Sequence, residues 1–231
     1  MPHLPSLILF ARAPEPGRVK TRLAVRLTER GAAALYRAFL EDAAHVYVDR
    51  TGWQSVLCAD PHPSDPLLAA IFFGAWRREA QASGDLGERL RKAFEREFAR
   101  GAPAAVAVGS DHPALTRKRL KEIFGELARG LDAVLIPAED GGYCAIGLAS
   151  CAPLANVFEG IPWSSDAVCR ITIARMENAG LRVKVLESAY DVDRPEDLDR
   201  LRRDLAQRDA ASEDYPTATA RVLEAISGNP E

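Results

Sequence analysis

Leu7-Ile8-Leu9-Phe10-Ala11-Arg12-Ala13-Pro14-Glu15-Pro16-Gly17-Arg18-Val19-Lys20-Thr21-Arg22-Leu23 joins an apolar run of strand length to a basic loop punctuated by prolines. Bounded by Arg12 and proline, the run reads as a buried strand feeding a strand-to-helix connection. The same alternation continues along the chain. Strands are expected near Leu7–Ala11, Ser55–Ala59, Ala104–Val108, Ala133–Pro137, Cys144–Leu148 and Val183–Leu186. Helices are expected at Glu29–Asp49, Thr116–Arg129, Ser165–Ala179 and Pro195–Arg208. Between them Leu86, Leu90, Phe94 and Phe98 recur every four residues, which marks one core-facing stripe of a further helix. Such alternation builds an α/β protein, a mainly parallel sheet covered by helices on both faces.

The chain has 231 residues, 47% of them apolar and 27% charged, with a net charge of −3. These values exclude disorder, collagen and coiled coil, and provide no general pull on nucleic acid or an anionic membrane. The longest apolar runs fall far short of the roughly 18 residues of a membrane-spanning helix. The amino-terminal residues lack the basic region of a secretory signal, so a cytoplasmic location is expected. Cys58, Cys144, Cys151 and Cys169 form no CxxC pair and read as buried free thiols. No linker divides the chain, so one domain over residues 1–208 is expected. A helical tail over 209–231, centred on Pro216–Ile226, is expected to dock on it or fray.

In an open parallel sheet, ligands sit beyond the carboxyl ends of the strands, so the loops following strands carry the chemistry. In the first loop, Arg12, Arg18, Lys20 and Arg22 surround two prolines and Gly17. Proline stiffens the backbone, Gly17 permits close approach, and Arg and Lys grip phosphate oxygens. A helix starting near Val19 would add free N–H groups. The bland alternative is a solvated connection. The GxxxxGK[ST] and GxGxxG spacings are absent, which speaks against a Walker-type nucleotidase and a Rossmann dehydrogenase. Asp111 follows the strand Val106-Ala107-Val108, and Asp191 and Asp193 follow the last strand; of these two alternating acids, Asp193 is expected to face the site. Two strand-end carboxylates suit a hard cation, although Asp111 also fits an Asx turn and Asp193 a helix cap. Ser110-Asp111-His112 is no hydrolytic triad, because neighbours on an extended chain point apart, and no GxSxG elbow exists. His62 and His112 read as packing residues. Glu139-Asp140-Gly141-Gly142-Tyr143 is either a backbone contact for a sugar or an ordinary hairpin turn. Gln81, Gly84 and Gly87 precede and open a helix, where they could meet a base edge. Trp163 either packs the rim or stacks on a substrate ring.

In this order the segments Phe10–Leu23, Gln81–Leu90, Gly109–Leu115, Asp140–Leu148, Ile161–Asp166 and Asp191–Leu198 resemble the nucleotide-diphospho-sugar transferase superfamily of glycosyltransferase-A-like folds. Within it, the chain looks like the radical-SAM/selenodomain-associated or glycosyltransferase-like transferases. The resemblance spans Leu7 to about Leu201. It implies a three-layer α/β/α sandwich with a mostly parallel, mixed sheet. It also implies a nucleotide site formed by Arg12, Gly17, Arg18, Lys20, Arg22, Gln81, Gly84, Gly87 and Asp111, with Mg²⁺ or Mn²⁺ on Asp111 and Asp193. Asp140, Gly141, Gly142, Tyr143 and Trp163 would face the acceptor, and Lys20, Asp111 and Asp140 would be catalytic. Arg12 departs from the lysine more usual at its position. The resemblance bears on fold more than on reaction, and it is the basic first loop that favours metal-dependent nucleotidyl transfer from a nucleoside triphosphate to a small phosphorylated or phosphonylated acceptor, with release of pyrophosphate. Its rivals are glycosyl transfer from a nucleotide sugar and a catalytically silent nucleotide-binding protein. No nucleic-acid partner or membrane span is implied, and a homo-oligomer is compatible with the reading.

Overall fold

The structure is a computed structural model describing residues 3–227. Strands β1 (Ser6–Arg12), β2 (Gln54–Asp60), β3 (Trp76–Ala80), β4 (Ala104–Gly109), β5 (Ala133–Pro137), β6 (Tyr143–Ala149) and β7 (Val183–Val185) form one sheet in the order β3-β2-β1-β4-β6-β5-β7. β1 runs parallel to β2 and β4, β2 to β3, and β5 to β7, while β6 is antiparallel to both β4 and β5. The sheet is therefore mostly parallel and mixed, as expected. Its strand alternation divides the core. Leu7 and Leu9 of β1 pack with α1 (Ala24–Val46), α4 (Arg117–Ala128), α7 (Pro195–Ala206) and α8 (Thr217–Ser227). Ile8 points the other way, toward α3 (Leu86–Ala99), α5 (Leu154–Phe158) and α6 (Val168–Asn178). Side chains of period two on a pleated strand feed two layers at once.

Three elements were not legible. β3, Trp76-Arg77-Arg78-Glu79-Ala80, is an edge strand whose charges pair with Glu97 and Arg96 of α3 and with Arg100 at its C-cap, so it lacks the apolar run of a central strand. α2 (Pro66–Ile71) and α5 are too short for helical periodicity; α2 rests on the Asp65 carboxylate, which accepts from the N–H groups of Leu67 and Leu68. Several expectations need correcting. No helix begins near Val19: α1 starts at Ala24 and is interrupted at Thr28, where φ is 61°. Leu86, assigned to the core stripe, is 46% exposed. Cys151 is exposed, whereas Cys58, Cys144 and Cys169 are buried, with burial pushing the Cys58 thiol up to about 12.

α8 lies on α1, and its first turn is held by Asp42, whose carboxylate accepts from Ala218 N at 2.9 Å and Thr219 N at 2.8 Å. Among the described residues, no helix is long and apolar enough to cross a membrane.

Candidate active site

Because β1 is flanked by β2 on one side and β4 on the other, the chain leaves β1 and β4 in diverging directions, and a crevice opens beyond their carboxyl ends. The loop after β1 delivers Lys20, and the loop after β4 delivers Asp111. Asp193 arrives by a longer route. Beyond β7, Leu186 N donates to Leu135 O and Ala189 N to Pro137 O, and Val192 N then donates to Asp111 O at 3.0 Å. His112 Nδ1 lies 3.3 Å from Tyr190 O in the same seam, which makes it a packing residue. The Asp197 carboxylate accepts from Asp193 N and Arg194 N, and so fixes the turn into α7.

At the meeting point, Lys20 Nζ is 2.5 Å from Asp111 Oδ1 and 2.6 Å from Asp193 Oδ1. Only 3% of the lysine side chain is exposed, against 43% for Asp111 and 40% for Asp193. Burial opposes a charge on Lys20, yet the two adjacent carboxylates outweigh it and hold the ammonium pKa above its usual 10.5. Burial likewise pushes Asp111 up, but the Lys20 ammonium dominates and its carboxyl lies below the ordinary range. Asp191, facing its own burial and the charge of Asp140, is raised instead. Beneath the triad, the Tyr36 hydroxyl accepts from Arg12 N at 3.1 Å and lies 2.8 Å from Ser110 Oγ, pinning the ends of β1 and β4 together. Tyr36 was missed because its place on α1 reads simply as helix core.

The triad forms the floor of a cleft of about 380 Å³, also lined by Phe10, Arg12, Arg18, Gln81 and Leu86. Arg12 and Arg18 are mostly exposed, each in one ion pair, with Asp60 and Glu15 respectively. Gln81 reaches the cleft, but its amide nitrogen donates to Cys58 O at 3.0 Å, so much of its hydrogen-bonding capacity is committed to the sheet.

The remaining expected residues do not line this cleft. Arg22 is exposed on the turn before α1. Gly17 adopts φ +76°, and a Cβ there would meet the Glu29 carboxylate, so the turn itself calls for glycine. Gly84 carries a carbonyl that accepts from Arg89 Nε. Gly87 is a packing glycine: a Cβ would come within 2.7 Å of Trp163 Nε1 and 2.8 Å of Phe158 O. Trp163 also meets Tyr143 edge to face, with ring centroids 6.5 Å apart, so it packs in this structure. Asp140 Oδ1 accepts from Gly142 N at 2.9 Å within the β5–β6 turn, and Gly141, at φ +93°, sits directly against the backbone of Asp166.

Among the described residues, no three His, Cys, Asp or Glu side chains gather as a ready-made metal cage. Asp111 and Asp193 nevertheless fit a hard cation that brings most of its shell as water and phosphate oxygens, since both carboxylates line the cleft and are about two-fifths exposed.

A bacterial family described as "Uncharacterized protein conserved in bacteria (DUF2064)" matches residues 43–165. No curated protein matches the sequence. The crystal structure of a "putative nucleotide-diphospho-sugar transferase" from Desulfovibrio desulfuricans is 32% identical, with a TM-score of 0.85 over 96% of this chain and 95% of that one. A cytidylyltransferase from Leptospira borgpetersenii is 13% identical, with a TM-score of 0.59 over 99% and 96% of the two chains. The 4-diphosphocytidyl-2C-methyl-D-erythritol synthase of Anaerococcus prevotii is 12% identical, with a TM-score of 0.58 over 89% and 97%. These last two share the fold alone. With more than half its length matched by the family and nearly all of it by a 32% identical relative, the chain belongs to the bacterial DUF2064 family, within the nucleotide-diphospho-sugar transferase superfamily.

Proposed function

We propose that the protein is a divalent-cation-dependent nucleotidyltransferase acting on a nucleoside triphosphate and a small phosphorylated or phosphonylated acceptor. The observation that carries this reading is the convergence of Lys20, Asp111 and Asp193, from three separate strand-end loops, on a cleft bordered by Arg12 and Arg18. An acceptor oxygen attacks the α-phosphorus, the bond from that phosphorus to the bridging oxygen breaks, and pyrophosphate leaves with the electron pair. Such chemistry asks mainly for positioning and charge neutralisation, so no protein nucleophile is needed. Arg12 and Arg18 keep guanidinium N–H groups beyond their single ion pairs, and these suit the outer phosphates. Lys20 supplies positive charge at the cleft floor, and Phe10 and Leu86 offer apolar surface to a nucleobase. Bound through Asp111 and Asp193, Mg²⁺ or Mn²⁺ would add charge neutralisation on the polyphosphate.

A second reading, glycosyl transfer from a nucleotide sugar, is favoured by the description of the 32% identical relative. In it, Asp140 would take the proton from an acceptor hydroxyl, with Gly141, Gly142 and Tyr143 framing the acceptor end. Incubation with Mn²⁺, a panel of triphosphates and nucleotide sugars, and phosphorylated and hydroxylic acceptors separates the two. Pyrophosphate release supports the first and nucleoside diphosphate release the second. Nucleotide binding without either product across the panel would leave a silent binding protein.

A further inference from the structure

We propose that the Lys20 ammonium is the resident counter-ion of Asp111 and Asp193, so that the protein alone offers a divalent ion no site and admits one only together with a polyphosphate. The counter-ion role stands on geometry; the polyphosphate half rests on the nucleotide reading above.

Four observations converge. Lys20 Nζ touches one oxygen of each carboxylate, at 2.5 and 2.6 Å, and so occupies the position between them that a shared cation would take. The ammonium is almost wholly buried while both carboxylates are about two-fifths exposed, so the positive charge lies at the bottom of the cleft with the two acids standing beside it. The Tyr36 and Phe39 rings, each with its centroid 5.9 Å from Nζ, close the route back into the core. The Lys20 backbone sits at φ 48°, a left-handed conformation that L side chains rarely adopt, and its carbonyl accepts from Leu23 N at 2.9 Å. The lysine is thus held in place by its loop.

The charge balance gives the consequence. Two carboxylates and one ammonium leave a single net negative charge. A divalent ion approaching alone meets that charge with an ammonium a few ångströms away, and among the described residues it finds no third acidic ligand. A polyphosphate changes both conditions, since its oxygens complete the metal shell and give the Lys20 N–H groups a second anionic partner.

The test uses Mn²⁺ alone, titrated into the folded protein while free ion is followed by electron paramagnetic resonance. Lys20→Met is expected to bind Mn²⁺ at least about tenfold more tightly than the parent, because a unit positive charge beside the acids has gone. Lys20→Arg should bind like the parent, and Lys20→Met combined with Asp193→Asn should lose the gain. Equal Mn²⁺ affinity in the parent and Lys20→Met overturns the counter-ion role. Should Lys20→Met not fold, the unmodified protein decides: Lys20 should stay protected from acetic anhydride in a large excess of Mn²⁺, and acetylation of Lys20 induced by Mn²⁺ alone overturns the proposal. Inorganic triphosphate chelates Mn²⁺ in solution, so its effect is read as protein-bound manganese after equilibrium dialysis, where triphosphate should bring Mn²⁺ onto the parent. If it does not, while Lys20→Met has gained its site, the polyphosphate half and the nucleotide reading fall together and the counter-ion role stands.

Discussion

Lys20 and Asp193 are separated by 173 positions in the chain and by 2.6 Å between Nζ and Oδ1. Contacts of this range exist only when the whole sheet is assembled, because the lysine leaves β1 and the aspartate follows β7. A strand-end acid that met only solvent and ligand could be neutralised without cost; those beside Lys20 cannot.

Asp111→Asn is therefore expected to lose both stability and binding. Breaking a buried ion pair costs about 3–5 kcal/mol. Asp193 still serves Lys20 and Asp111 is 43% exposed, so the discounted expectation is about 1–2 kcal/mol in urea unfolding. Affinity for triphosphate with Mn²⁺ should fall about tenfold or more by calorimetry. A variant unchanged in both measurements would remove Asp111 from the site.

Arg12→Ala and Arg18→Ala should separate binding from folding in the opposite way. Each side chain is more than half exposed, so unfolding midpoints should hardly move. A charge-assisted hydrogen bond is worth about 1.5–3 kcal/mol, so triphosphate affinity should drop about tenfold or more in each variant. Nucleoside affinity should change much less. Equal losses for triphosphate and nucleoside would place these arginines away from the phosphates.

Gly87→Ala discriminates packing from ligand contact at α3. The added methyl meets Trp163 and the Phe158 carbonyl, and overpacking of this kind costs about 1–3 kcal/mol. Chemical denaturation should show that loss, while the triphosphate affinity of the folded protein should shift far less than in Arg18→Ala. Full stability with lost affinity would return Gly87 to the nucleotide site.

A pH effect is expected at the far end of the sheet. Arg182 donates to the Asp132 carboxylate from Nε and from its backbone N, both at 2.9 Å, and holds that carboxyl below its usual 3.8. A folded-state pKa below the unfolded value contributes stability above 3.8 and loses it as pH falls through the folded value. The gap in stability between the parent and Asp132→Asn should thus be full at pH 7 and close below pH 3.8, in unfolding curves across that range. A gap unchanged into strong acid would show that the ion pair does not contribute.

Much of this architecture was legible because burial leaves a trace in composition. β1, β2, β4, β5 and β6 are buried by helices on both faces and read as apolar runs, with observed ends within a residue or two of those expected. β3 escaped because an edge strand can satisfy itself with ion pairs to α3. Lys20 and Asp111 were legible from strand-end placement, and Asp193 rather than Asp191 from alternation. The contact of both acids with one buried lysine was not, because sequence spacing says nothing about which side of a carboxylate a cation occupies. The local packing of the glycines was illegible for a related reason. Gly17 and Gly87 look alike as letters, yet one shapes a turn beside Glu29 and the other makes room for an indole ring.

β6 runs against both of its neighbours, and with β5 it forms a hairpin closed by the short turn Glu139–Gly142. A hairpin tip can lengthen, shorten or be exchanged without altering the register of the parallel strands beside it. Here the tip is seated on α6, where Cys169 N donates to Gly141 O at 2.8 Å, so a change of its length would be felt by that helix while the β1–β4 crevice keeps its dimensions.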